Sequence, residues 1–261
     1  MPLLGLRQAL DGSGFWVHLK GMAQTEIALV AGHRWVVGSF GDADSLHNAA
    51  AIELLDRCDI AEIRLDLLLA ERVTPGREGW QHLTGVPLLF TARRGDEGGA
   101  LDLDALQRSD LLRAALDDAA FIDVEVASLD TMQDVLAEAA RRGIPWIASF
   151  HDFEKLPPAA VLTEAARQAR AVGAAALKVA AKLNSLADLV RLAEFQLSAQ
   201  GLPLATMGMG ALAPVSRLLC AQSGSVLNYG YLGATPTAPG QWDCGLLKQA
   251  LSRLAPWGDR L

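Results

Sequence analysis

The stretch IPWIASFHDFEKLPPAAVLTEAARQARAVGAAALKVAA (residues 144–181) contains one complete strand–helix–strand unit. Residues 144–153 and 174–181 are short apolar runs bounded by glycine, proline or acidic residues, as strands usually are. Residues 158–173 between them have helical spacing, with arginines late in the segment and a closing glycine. A helix that joins two consecutive strands predicts that the strands are parallel.

Working outward, the same alternation covers most of the chain. Eight apolar or β-branched runs occur in order: RWVVGSF, AEIRLDLL, VPLLFTAR, FIDVEV, IPWIASFHDF, AAALKVAA, LPLATMGMG and SVLNYGYL. The first run ends in GSFGDADS, which lacks the glycine-rich phosphate turn of an open dinucleotide-binding sheet. The sequence therefore predicts an α/β protein with a closed (β/α)8 TIM barrel as a single domain over residues 22–261. Residues 1–21 are predicted to be an N-terminal extension that need not be ordered.

Composition excludes several classes of protein. Hydrophobic residues make up 51% of the chain and charged residues 20%, which is typical of a globular protein. The net charge of −7, without a basic block, argues against nucleic acid or an anionic membrane as a partner. No run approaches the roughly 18 apolar residues of a membrane span. Three cysteines without close spacing favour a reducing, cytoplasmic location.

Polar side chains near the carboxyl ends of the predicted strands are the candidate site, because barrel enzymes place their active sites there. Taken singly, each candidate has an ordinary structural explanation: an ion network, a solvated loop, a core histidine or a lysine that reaches water. Together they would meet in one pocket. The candidates from the second, third, fifth and sixth runs are Glu62, Arg64, Arg93, Glu97, His151 and Lys178.

Two later segments add further candidates. Arg217 follows the glycine-rich segment MGMGALAPVSR and is predicted to lie at the start of a helix, where it could pair with a carboxylate. Thr237 and Gln241 lie in TPTAPGQ, a loop of the kind that often covers a ligand.

These residues suggest imine chemistry on a keto acid. A lysine held among apolar neighbours is disfavoured in its charged form, so Lys178 could attack a ketone as a free amine. His151 could move the proton that the imine acidifies, and Glu97 could hold the imidazole in place. Arg217 would anchor an acid group of the substrate. This chemistry requires neither a metal nor another cofactor.

The motifs EIRLD, TARRGDEGG, ASFHDF, LKVAAK, MGMGALAPVSR and TAPGQ, in this order, resemble the type I 3-dehydroquinate dehydratase family. The resemblance implies a (β/α)8 homodimer that converts 3-dehydroquinate to 3-dehydroshikimate and water in the shikimate pathway, by syn elimination through a lysine Schiff base. It also implies the roles of the site residues. Lys178 corresponds to the Schiff-base lysine, His151 to the general acid and base, and Glu97 to its orienting carboxylate. The substrate-binding residues would be Glu62, Arg64, Arg93, Arg217, Thr237 and Gln241.

Three features depart from the family pattern. Thr237 stands where serine is usual, which keeps the hydroxyl, and Ala213 stands where a second glycine is common, which questions the turn geometry before Arg217. The segment LKVAAK is less typical of the family beyond its valine, and Lys182, on the same side of the strand as Lys178, is a rival nucleophile by spacing alone. Lys178 is preferred because it lies inside the apolar run and corresponds to the family's lysine.

Two other functions fit part of the pattern. A different Schiff-base barrel enzyme resembling class I aldolases would share Lys178 but need not carry His151, Glu97 and Gln241. A non-catalytic paralogue that binds a quinate-like ligand would need none of these residues for turnover.

Overall fold

The protein was described from a computed structural model, which covers residues 7–8, 15–18 and 26–255. Its main sheet has eight parallel strands, and each of the eight predicted runs overlaps one of them. The strands are β4 Trp35–Phe40, β5 Ile60–Arg64, β6 Leu88–Thr91, β7 Phe121–Glu125, β8 Trp146–Asp152, β9 Ala176–Lys182, β10 Leu204–Met209 and β11 Leu227–Leu232. Neighbours along the chain pair with each other, and β11 pairs with β4. At the remaining seam, the Val226 N–H donates to the Leu204 carbonyl at 3.0 Å, so the barrel is nearly closed. The predicted fold is confirmed.

Helices connect the strands and cover the outside of the barrel. They are α1 Ala43–His47, α2 Ala51–Arg57, α3 Leu65–Ala70, α4 Ala105–Ala115, α5 Gln133–Arg141, α6 Ala159–Ala171, α7 Leu186–Leu197, α8 Ala213–Gln222 and α9 Cys244–Leu251. Ser185 begins α7 with a capping box, in which its side chain accepts from the Asp188 N–H and Asp188 accepts in return.

The second predicted run needs a correction. The run AEIRLDLL was predicted to be a strand throughout, but β5 ends at Arg64 and Asp66 lies in α3. Glu62, Arg64 and Asp66 keep a spacing of two residues across the end of the strand, so this spacing alone does not show where the strand ends. Asp66 nevertheless turns back toward the strand, as described below.

Inward-facing side chains form two layers of different character. The layer near the amino ends of the strands is apolar, and it includes Val37, Ile60, Leu89, Phe121 and Ile147. Side chains alternate with a period of two, and two residues further along β4 to β9 the inward positions are polar. They are Ser39, Glu62, Thr91, Asp123, Ser149 and Lys178. The apolar layer therefore supports a polar layer at the opposite end of the barrel.

A small antiparallel sheet lies beneath the apolar layer. It consists of β1 Arg7–Gln8, β2 Phe15–His18 and β3 Glu26–Leu29. Ile27 and Leu29 of β3 are fully buried and pack with the apolar layer. The predicted domain boundary after residue 21 stays a prediction, because residues 19–25 lie outside the described residues.

All three cysteines of the chain are unpaired and fully buried. Cys58 follows α2, Cys220 lies in α8, and Cys244 begins α9. Within the described residues, no helix has the length and hydrophobicity needed to cross a membrane.

Candidate active site

Lys178 lies in the polar layer, at the third position of β9. The residue is 5% exposed, and its Nζ lies 3.3 Å from Asp123 Oδ2 and 3.7 Å from Glu62 Oε1. The amine also lies 4.1 Å from the centre of the Tyr229 ring, within reach of a cation–π interaction. The expectation of purely apolar neighbours was therefore wrong: the strand itself is apolar, but β5 and β7 place two carboxylates beside the amine. These two negative charges lie where they would stabilise the positive charge of an iminium formed on this nitrogen.

Lys182, the rival nucleophile, ends the same strand and is exposed. It is not among the residues that line the cavity around Lys178. Position therefore favours Lys178 as the nucleophile.

His151 is held by Glu97, as the sequence suggested. Glu97 Oε2 lies 2.9 Å from both the backbone nitrogen and Nδ1 of His151. With Glu97 ionised, Nδ1 donates this hydrogen bond and Nε2 keeps a lone pair for proton transfer. Glu97 is the last residue of a short 3-10 helix, Gly95–Glu97. Gly98 follows it with a φ of 87°, in the left-handed region that suits glycine.

Burial shapes the protonation of this pair. It raises the pKa of Glu97 to about 7, the Glu125 carboxylate adding to the rise while Arg93 opposes it. Burial also lowers the pKa of His151 well below its usual value, and the positive charges of Arg93 and Lys178 lower it further. The imidazole is therefore neutral at physiological pH and able to act as a base.

A buried chain of charges extends outward from Lys178. Arg93 Nη1 lies 2.9 Å from both Asp123 Oδ1 and Glu125 Oε1. Glu125 Oε2 in turn accepts from Arg108 Nη1 of α4 at 2.6 Å. Although burial opposes the change, Arg93 and Lys178 lower the pKa of Asp123 to about 2, so this carboxylate stays ionised. Arg93 was predicted to bind substrate, and in the structure its guanidinium also holds two carboxylates in place.

Arg64 and Asp66 form a second buried pair at the mouth of the barrel. Arg64 Nε and Nη2 donate to Asp66 Oδ1 and Oδ2 at 2.8 and 2.6 Å. The backbone N–H groups of Arg93 and Ala100 also donate to Asp66. Asp66 therefore fixes Arg64 and the loop after β6 together.

Arg217 differs from its predicted position. It is the fifth residue of α8 rather than its first, and its Nε and Nη1 donate to the carbonyls of Tyr229, Gly208 and Ala213 at 3.0, 2.9 and 3.2 Å. Within the described residues no carboxylate pairs with this guanidinium, and burial lowers its pKa to about 10. A buried cation without an anionic partner is suited to bind an anion.

The turn before Arg217 tolerates Ala213 without strain. Ala213 begins α8 and is fully buried, and the left-handed residue of the turn is Gly210, with a φ of 83°. The glycine that the turn requires is therefore present at another position.

Thr237 and Gln241 contact each other in the loop after β11. Both the backbone N–H and the hydroxyl of Thr237 donate to Gln241 Oε1, at 2.9 and 2.8 Å. The bond fixes the shape of this loop over the cavity and leaves the amide nitrogen of Gln241 as a donor.

All nine predicted residues line one cavity, with an empty volume of about 500 Å³ that is partly open to solvent. Its wall contains Glu62, Arg64, Arg93, Glu97, His151, Lys178, Arg217, Thr237 and Gln241. Within the described residues, no group of three or more His, Cys, Asp or Glu side chains is arranged to hold a metal ion.

Comparison with known proteins identifies the family of the chain. A family model described as type I 3-dehydroquinase matches residues 42–255. The chain belongs to the type I 3-dehydroquinase family. Members of this family are hydro-lyases.

Individual relatives support the family assignment. A 3-dehydroquinate dehydratase of Haloquadratum walsbyi is 34% identical over 209 residues, which cover 76% of this chain and 85% of the relative. A catabolic 3-dehydroquinate dehydratase of Acinetobacter baylyi is 32% identical over 76% of each chain. The crystal structure of 3-dehydroquinate dehydratase from Geobacillus kaustophilus superimposes with a TM-score of 0.73 at 26% identity, over 84% of this chain and 90% of that one.

Several site residues were missed by sequence reasoning. Asp123 and Glu125 lie in FIDVEV, which was interpreted only as a strand, although its two acidic residues alternate in the same way as the charges of the second run. Tyr229 gave no signal, because an aromatic residue in an apolar strand is typical of a core. Arg108 lies in the helical segment before the fourth strand and could be linked to the site only through the fold.

Proposed function

We propose that the chain dehydrates 3-dehydroquinate to 3-dehydroshikimate by syn elimination through a Schiff base on Lys178. The observation that carries the proposal is one cavity wall that holds the buried Lys178 amine and the His151–Glu97 pair. Family membership supports the choice of substrate.

The first step joins the Lys178 amine to the ketone carbon, and loss of water then gives an iminium. The positive nitrogen would lie beside the Asp123 and Glu62 carboxylates, which favour it electrostatically. The iminium withdraws electrons from the neighbouring C–H bond, which becomes acidic.

His151 would take that proton at Nε2 and later donate it to the leaving hydroxyl, which departs as water. Glu97 would hold the imidazole through Nδ1 in both stages. Arg217 would pair with the substrate carboxylate, and Glu62, Arg64, Arg93, Thr237 and Gln241 would contact its hydroxyls and charges. Hydrolysis of the product iminium restores the amine.

Borohydride trapping tests this proposal. We expect reduction in the presence of 3-dehydroquinate to give a stable adduct that peptide mass mapping places on Lys178. Ultraviolet absorbance should report the conjugated product in the absence of borohydride. The variant K178A should lose both signals, whereas K182A, the matched change at the exposed lysine of the same strand, should keep them.

The outcomes separate the alternatives. An adduct with another keto acid but none with 3-dehydroquinate would indicate a different Schiff-base enzyme. Ligand binding by wild type and K178A alike, without product, would indicate the non-catalytic paralogue.

We also propose that the chain is a cytoplasmic homodimer. Three unpaired, buried cysteines support a reducing compartment, and the family resemblance supports the dimer. Sedimentation velocity should give a mass of two chains of 27.7 kDa.

A further inference from the structure

Tyr229 is a pocket residue to which neither the predicted site nor the proposed mechanism gives a role. It lies on β11, it is 3% exposed, and it lines the cavity together with Lys178. Its ring lies under the reacting nitrogen, with 4.1 Å between Lys178 Nζ and the ring centre. Any group bonded to that nitrogen therefore forms close to this tyrosine.

The hydroxyl of Tyr229 is buried without a hydrogen-bond partner among the residues that the structure describes. Unsatisfied buried hydroxyl groups are destabilising and uncommon in native proteins. A phenylalanine would fill the same space and offer the same ring to the amine, so packing and cation–π contact do not explain the oxygen.

The two carboxylates that raise the pKa of Tyr229, Glu62 and Asp123, already have hydrogen-bond partners. Glu62 accepts from the hydroxyls of Ser39 and Thr91, and Asp123 accepts from Ser149 and contacts Arg93 and Lys178. Burial, reinforced by the Glu62 and Asp123 carboxylates and opposed by Arg93, raises the pKa of Tyr229 well above its usual value. The hydroxyl thus keeps its proton and remains a donor.

We propose that the Tyr229 hydroxyl donates a hydrogen bond to the substrate oxygen on the carbon that Lys178 attacks, and so acts as a further catalytic residue of imine formation. The inference rests on the proposed function. As the Lys178 nitrogen forms the C–N bond, the carbonyl π electrons move onto the oxygen, and a donor placed there stabilises the developing negative charge.

Tyr229 itself gives up no proton in this step. Counted from the protonated lysine, the nitrogen loses two protons and the oxygen gains both through His151, so that the ammonium and the ketone give the iminium and water. The tyrosine is therefore unchanged at the end of the step, and its hydroxyl again lacks a partner in the free protein.

The test is the rate at which the borohydride-trappable adduct forms in a single turnover. Wild type and the variant Y229F are mixed with 3-dehydroquinate, quenched with borohydride at successive times, and analysed by intact mass. Y229F removes only the oxygen. We expect adduct formation to slow at least about tenfold, while the melting temperature stays the same or rises, because an unsatisfied buried hydroxyl has been removed.

The matched control is Y231F, which makes the same chemical change at the only other tyrosine of the chain, a residue that does not line the cavity. Its adduct should form at the wild-type rate. A Y229F rate within about twofold of wild type would overturn the inference, because loss of a charge-stabilising donor costs more. A lowered melting temperature would also overturn it, by showing that the hydroxyl has a partner in the free protein. If wild type itself formed no adduct, the proposed function would fail first.

Discussion

Glu97 is expected to set the acidic limit of activity, at the scale of a single residue. Its pKa is raised to about 7 by burial, whereas that of His151 is lowered well below its usual value. As the pH falls through about 7, Glu97 takes up a proton and no longer holds the Nδ1–H as an ionised acceptor, so kcat/KM should fall. The imidazole itself should protonate only at lower pH.

The variant E97Q tests this assignment. Glutamine cannot titrate, so the decline near pH 7 should disappear, and kcat should drop by about 100-fold or more because the imidazole is poorly oriented. The pH profile of kcat/KM is the measurement. D96N, at an exposed carboxylate of the same short helix, should keep the wild-type profile. A decline near pH 7 that persists in E97Q would assign it to another group.

Arg217 should control substrate affinity. Among the described residues its hydrogen bonds go to carbonyl oxygens, so a carboxylate of the substrate would be the ionic partner of this buried cation. R217K keeps the charge but loses the planar fork, so we expect KM to rise about 10- to 100-fold with a smaller change in kcat. Steady-state kinetics of R217K beside the exposed-site variant R191K would measure this. Equal KM values would remove Arg217 from the binding site.

At the scale of the element, the β3 strand should stabilise the barrel from below. Leu29 is fully buried against the apolar layer, so L29A should lower the free energy of unfolding by about 2–5 kcal/mol. Leu186 of α7 is 69% exposed, and L186A should change the free energy of unfolding by less than about 0.5 kcal/mol. Urea denaturation of both variants gives the comparison. Equal stabilities would mean that β3 is not part of the cooperative unit.

The elements were more predictable than the contacts between them. Every barrel strand could be found because apolar runs bounded by turn residues need only local information. Lys178 and His151 were found because a charged or titratable side chain interrupts such a run. Asp123 and Arg108 could not be linked to the site in this way, because their partners lie 55 and 17 residues away in the chain. The boundary between β5 and α3 was missed because alternating charges fit a strand and also the first turn of a helix.

At the scale of the whole molecule, overall charge and local charge act in opposite directions. The chain carries a net charge of −7, which repels an anionic substrate at long range, whereas Arg217 attracts it within the cavity. Raising the ionic strength from about 10 to about 150 mM shortens the screening length from about 30 to about 8 Å. The long-range repulsion weakens and the buried ion pair changes little.

We therefore expect kcat/KM to stay constant or rise slightly over that range of salt. Initial rates at low substrate concentration, with two different salts to detect specific anion competition, would test it. A steep fall with both salts would indicate that exposed cations, rather than buried ones, attract the substrate.

The rates at which the three buried thiols react with a labelling reagent would report how the protein opens. All three thiols are fully buried, so a thiol reagent cannot reach them in the native state. Burial also raises the pKa of Cys220 to about 11, and the contact with Cys58 together with burial raises that of Cys244, which keeps these two thiols protonated. Modification must then wait for the chain to open. Cys58 and Cys244 lie beside α2 and α9, near the two ends of the barrel sequence, and Cys220 lies in α8. Equal labelling rates at all three cysteines would mean that the barrel opens as a unit. Earlier labelling of Cys58 and Cys244 would mean that the barrel opens first near these two residues, where the two ends of the barrel sequence meet.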